Sequence, residues 1–153
     1  MAQTTLRTAW RRFQVMALHG PLATAMSAIN SMFTELYPRN LAVTATADGL
    51  TTGLITTGYN FVTVTSANAA HQISLPAGTV GQVLRILVGT TGCELISAVA
   101  ADKVNEVTVG ATNELALTAE ALYTCVYTKP GFWIVTGHTK LGAAQAALVP
   151  DAL

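Results

Sequence analysis

From Tyr59 to Thr136 the chain is a succession of short β-prone runs, each closed by a turn signal, and few folds are compatible with that rhythm. Phe61–Thr65 alternates Val62 and Val64 with Phe61, Thr63 and Thr65. His71–Leu75 sets His71, Ile73 and Leu75 against Gln72 and Ser74, ahead of a Pro76-Ala77-Gly78 turn. Gln82–Val88 places Leu84, Ile86 and Val88 on one face and Val83, Arg85 and Leu87 on the other. Both faces are largely apolar, which predicts a central strand. Gly89-Thr90-Thr91-Gly92 turns the chain, and Cys93–Val99, Val104–Val109 and Leu115–Leu117 follow as further short strands. Leu122–Thr128 and Phe132–Thr136 flank Lys129-Pro130-Gly131, where proline then glycine suits the central positions of a type II turn. The pattern predicts a mainly β fold, an antiparallel β-sandwich or small barrel.

The first forty residues read differently. Leu6, Trp10, Phe13 and Ala17 repeat at helical spacing over residues 4–18, with Arg7, Arg11 and Gln14 on a neighbouring face. Gly20-Pro21 ends that helix, and Pro21 can begin the next. Leu22, Met26, Ile29, Phe33 and Leu36 then form a heptad stripe, closed at Tyr37-Pro38. A stripe this short is marginal alone. It either lies on the body of the protein or joins a multi-chain bundle or a partner's groove. The expected organisation is a helical arm over 1–40, a β-domain over 41–137 and an Ala-rich tail over 138–153. Asp48-Gly49, Thr51-Thr52-Gly53 and Thr56-Thr57-Gly58 mark residues 41–58 as turn-rich loop or short edge strands.

Only sixteen of the 153 residues are charged, 10%, against roughly 25% in ordinary soluble domains. Charge keeps monomers apart, so a chain that omits it is expected to cover much of its surface with other protein. Arg7, Arg11, Arg12 and Arg39 face one carboxylate, Glu35, in the first forty residues; the rest carries four basic and seven acidic side chains. Arg7, Arg11 and Arg12 are either a solvated helix face or docking residues for an acidic partner. Trp10, Met26, Ile29 and Phe33 are the apolar candidates for the same contact. Three arginines without an aromatic stacking platform do not predict nucleic-acid binding. No apolar run is long enough to span a membrane, and His19-Gly20-Pro21 breaks the one run that could mimic a signal peptide.

No chemistry-bearing constellation is evident. His19, His71 and His138 lack a second ligand at zinc spacing. There is no GxSxG elbow, no phosphate-cradling glycine motif and no CxxC pair. The expectation is no enzyme, no metal and no cofactor. Cys93 and Cys125 read as two small buried, reduced side chains, with a single bridge between them as the alternative. Arg85 is the charge that stands out, inside an apolar strand. It either points to solvent, bonds to a loop carboxylate, or makes an inter-subunit salt bridge, for which Glu94 and Glu120 are the named partners.

The Leu75-Pro76 turn, Gly81 leading into Gln82–Val88, the Asp102–Glu106 stretch, Asn113-Glu114-Leu115, Tyr123 and Phe132-Trp133-Ile134-Val135 form an ordered set. In this order they resemble a module of tailed-bacteriophage structural proteins. The likeness runs from His71 to Thr136 and is one of pattern. It implies a small trimerising β-domain of the kind found in capsid decoration, or cement, proteins. It further implies a homotrimer on the outer surface of the virion, binding the major capsid protein across subunits and so stabilising the head. A head- or tail-fibre domain that binds a host glycan is the second expectation. A non-viral oligomeric β-sandwich adaptor or lectin is the third, with Tyr59, Tyr127 and Trp133 as candidate sugar platforms, although the hairpin spacing places Trp133 in the core.

Overall fold

The computed structural model describes residues 26, 27, 29, 39–109 and 113–152. The chain divides into two units, Met1–Tyr37 and Pro38–Leu153. In the first, Met26, Ser27 and Ile29 are helical. The helix expected over 4–18 and the remainder of the stripe lie outside the described residues.

The second unit is built from strands. They are β1 (Asn40–Thr44), β2 (Phe61–Thr65), β3 (Gln72–Leu75), β4 (Val83–Val88), β5 (Cys93–Ser97) and β6 (Lys103–Val104). They continue as β7 (Val107–Thr108), β8 (Asn113–Leu117), β9 (Leu122–Lys129), β10 (Phe132–His138) and β11 (Asp151–Ala152). A large sheet runs β1-β2-β4-β9-β10-β6-β7, and a small sheet runs β11-β8-β5-β3. The inner residues of both share one core. Val62, Val64, Leu84, Ile86, Val88, Tyr123, Cys125, Trp133 and Val135 come from the large sheet, and Ile73, Leu75, Cys93, Leu95, Leu115 and Leu117 from the small one. Period-2 alternation delivers this directly, because every second residue of a strand points to the same side.

The sheets are mixed, which corrects the antiparallel expectation. β1 with β2, β2 with β4, β3 with β5 and β6 with β10 pair parallel. The cause is connectivity. After β2 the chain crosses to the small sheet as β3, returns as β4 and crosses again as β5. Each return brings a strand back in its predecessor's direction. Alternation reports which face is buried and is silent on direction. β4 does lie inside the large sheet, between β2 and β9.

Two further expectations are revised. Val104–Val109 is not one strand: Asn105 and Glu106 take φ of 48° and 76°, and the chain reverses between β6 and β7. Two positive φ values fit the tight turn that joins antiparallel neighbours. Residues 138–152 do not form a separate tail. The Gln145 N–H donates to Gly137 O, the Leu148 carbonyl accepts from Asn105 Nδ2, and Asp151–Ala152 pairs with β8. The Pro130-Gly131 turn is as expected, with Gly131 at φ 73°.

Candidate functional site

Strand alternation leaves the large sheet with an outer face, and the register sets its rows. One row is Val83–Val126–Ile134. The next is Asn40–Phe61–Arg85–Thr124–Thr136, and the third is Ala42–Thr63–Leu87–Leu122–His138. Val83 and Leu87 are 40% exposed and Ile134 is 42% exposed, while Phe61, Leu122 and Val126 are half-buried. These apolar groups surround Arg85, which is exposed and has no salt-bridge partner among the described residues. No carboxylate lies in any of the three rows. At the hairpin end, the Lys129 ammonium sits 4.5 Å from the centre of the Phe132 ring.

Among the described residues Arg85 is therefore exposed and without an ion-pair partner. Within this chain neither carboxylate named for the inter-subunit bridge pairs with it. Glu120 pairs with Lys140 at 2.5 Å, and Glu94 lies on β5 of the small sheet. Arg7, Trp10, Arg11, Arg12 and Phe33 lie outside the described residues. Met26 and Ile29 belong to the first unit, which is described by itself.

The sugar-platform residues fare unevenly. Trp133 is fully buried, and Tyr127 is buried against it edge-on with ring centroids 4.9 Å apart. Neither ring can offer a face to a sugar. Tyr59 is half-buried beside the Arg39 guanidinium, 5.1 Å from its ring centre.

A carboxylate group that the sequence left scattered is drawn together on the outer face of the small sheet. Asp151 stands opposite Glu114 across β11 and β8. Glu94 of β5 stands opposite Ala116, two residues along β8 on the same face. Gln72 Nε2 donates to Glu114 Oε2 at 2.7 Å. Burial first, then the Glu114 and Asp151 charges, push the Glu94 carboxyl up to about 7. Glu94 Oε2 is buried without a hydrogen-bond partner, as is Nδ1 of the neighbouring His71. Period 2 alone could have put Glu114 and Ala116 on one face, but pairing them with Glu94 and Asp151 needed the register.

The remaining groups are quiet. Burial pushes both thiols up to about 12, with the Glu94 charge adding to the effect at Cys93. A thiol held protonated is a poor nucleophile, and both cysteines are free and buried. Among the described residues no cluster of histidine, cysteine and carboxylate side chains could hold a metal ion. No helix among them is long and apolar enough to cross a membrane. No protein-family model matches the chain, and no curated protein matches it.

Proposed function

We propose that this chain is a structural assembly subunit, a capsid decoration protein that acts as a homotrimer. It stabilises a phage head by binding the major capsid protein across subunits. The observation that carries the reading is the outer face of the large sheet. Val83, Leu87 and Ile134 stay exposed around Arg85, which has no ion pair among the described residues, on a face with no carboxylate in its rows. Exposed apolar groups clustered on one face mark protein contact surfaces more often than they mark solvated ones. The exposed Arg85 at the centre supplies an anchor of the residue type enriched at such contacts. Each contact adds binding free energy to the assembled lattice by mass action, and no reaction is required.

The test is the mass of the purified full-length chain by size-exclusion chromatography with light scattering, followed by sedimentation with empty heads. A trimer that co-sediments with heads is expected. A monodisperse monomer that stays in the supernatant would end the reading. The lectin alternative loses two of its three aromatic candidates to the core.

A further inference from the structure

The two sheets present opposite charge on their outer faces. On the large sheet a further outer row, Thr108–Lys103–Phe132–Lys129, runs beside those that hold Arg85 and His138. Val104 is buried in the core, so its neighbour Lys103 points outward. The bulge next to Phe132 turns Lys129 to the same side, where its ammonium covers the Phe132 ring. Arg85, Lys103, Lys129 and His138 are all exposed. They share the face with the exposed Val83, Leu87 and Ile134, and no carboxylate stands in any of these rows.

The outer face of the small sheet is the reverse. Asp151 stands opposite Glu114, and Glu94 lies in the row Gln72–Glu94–Ala116. Ala116 and Asp151 are exposed and Glu94 is half-buried. Gly49 lies against Gln72 and its carbonyl accepts from Ser74 Oγ on this face, which brings the exposed Asp48 to the rim. No lysine or arginine stands in these rows. The one salt bridge among the described residues, Lys140–Glu120, joins two turns.

We propose that copies of this chain associate head to tail, the large-sheet outer face of one on the small-sheet outer face of the next. The inference rests on the assembly reading and names its contact. Either face packed on its own copy would oppose cations to cations or carboxylates to carboxylates, and opposed like charges select against such pairings. The crossed pairing sets Arg85, Lys103 and Lys129 against Glu94, Glu114 and Asp151. It covers Val83, Leu87 and Ile134 with the neighbour's small sheet, and these apolar groups exclude water around Arg85. The contact is heterologous. It closes at three copies where each step turns the chain by a third of a circle, and it grows as an open stack where the turn does not close.

Charge reversal in the full chain tests it, read by light scattering over a dilution series. Arg85→Glu and Glu94→Lys should each raise the dissociation constant by about tenfold or more, with the β-sheet circular dichroism of wild type retained. The double variant restores opposite charges across the contact and should recover most of the loss. Should Glu94→Lys not fold, Asp151→Lys takes its place with the same expectation. An oligomer that neither reversal moves, or a double variant no tighter than the single ones, would overturn head-to-tail packing and leave the assembly reading standing. A monomeric wild type would end both.

Discussion

Asn105 shows how much one side chain can fix. It sits at φ 48°, a conformation that asparagine tolerates better than most residues. Its amide donates to the Val135 and Leu148 carbonyls, and its Oδ1 accepts from the Val135 N–H. Asn105→Ala removes all three bonds and places alanine in a left-handed conformation. The expected loss is about 2–4 kcal/mol in denaturant titration. Asn105→Gly should recover the backbone part of that loss and not the hydrogen-bonded part. Glu94 makes the second prediction at this scale. Its proton is held up to about 7 in the folded chain and released near the ordinary 4.5 once unfolded. The unfolded state therefore binds fewer protons between those values, and stability falls as pH rises through that window. Glu94→Gln should melt above wild type at pH values beyond about 7 and converge with it below about 4.5. Parallel melting curves at all pH values would contradict this. Residue-level reading of the sequence succeeded where a residue's role is set by its own strand. It singled out Arg85 and placed it on the face opposite Leu84 and Ile86. It missed the carboxylate cluster, because three strands contribute to it and no local pattern relates Glu94 to Asp151.

At the scale of elements, glycine positions reveal how closely loops and strands approach. A Cβ on Gly78 would lie 2.3 Å from a Tyr127 ring carbon. That ring cannot give way, because it packs edge-on against Trp133 and its hydroxyl accepts the Gly131 N–H. Gly78→Ala should cost about 1–3 kcal/mol by overpacking, read as a lower denaturation midpoint. Gly142→Ala meets no atom within 4 Å but sits at φ 80°, so any loss there is backbone strain alone. The strands from β2 to β5 and from β8 to β10 were legible, since alternation and turn residues are local signals. β1 was harder to see. Residues 41–58 read as turn-rich loop or short edge strands, and Asn40–Thr44 is the edge strand of the large sheet, paired along β2. The parallel pairings were not legible at all, because crossing between sheets is decided by how two inner faces meet in one core. β11 was hidden for a similar reason: Asp151 and Ala152 have no strand propensity of their own and pair only because β8 offers an edge.

For the whole molecule, scarcity of charge matters through where the charges fall. The described carboxylates lie on the small sheet, in turns and loops, or buried like Asp102 beside Ser97. In the large sheet's outer rows through Val83, Arg85 and Leu87, that arginine stands with Asn40, His138, threonines and apolar side chains, and no carboxylate. A two-fold contact that paired this row with itself would bring Arg85 against Arg85. Closed assembly through the face therefore favours a heterologous contact, in which Arg85 meets different residues on its partner. Leu87→Asp tests the face without touching the core, since Leu87 is 40% exposed. In an assembled interface it puts a carboxylate into an apolar contact at a cost of more than about 2 kcal/mol, or about 30-fold in dissociation constant. Melting of the isolated chain at matched concentration should change little, and light scattering should show the oligomer dissociating at higher concentration than wild type. Thr63→Asp, one strand away in the same row, should weaken the oligomer too if the contact spans the row. An oligomer unmoved by either variant would place the contact elsewhere on the chain, with the large sheet's outer face left to solvent.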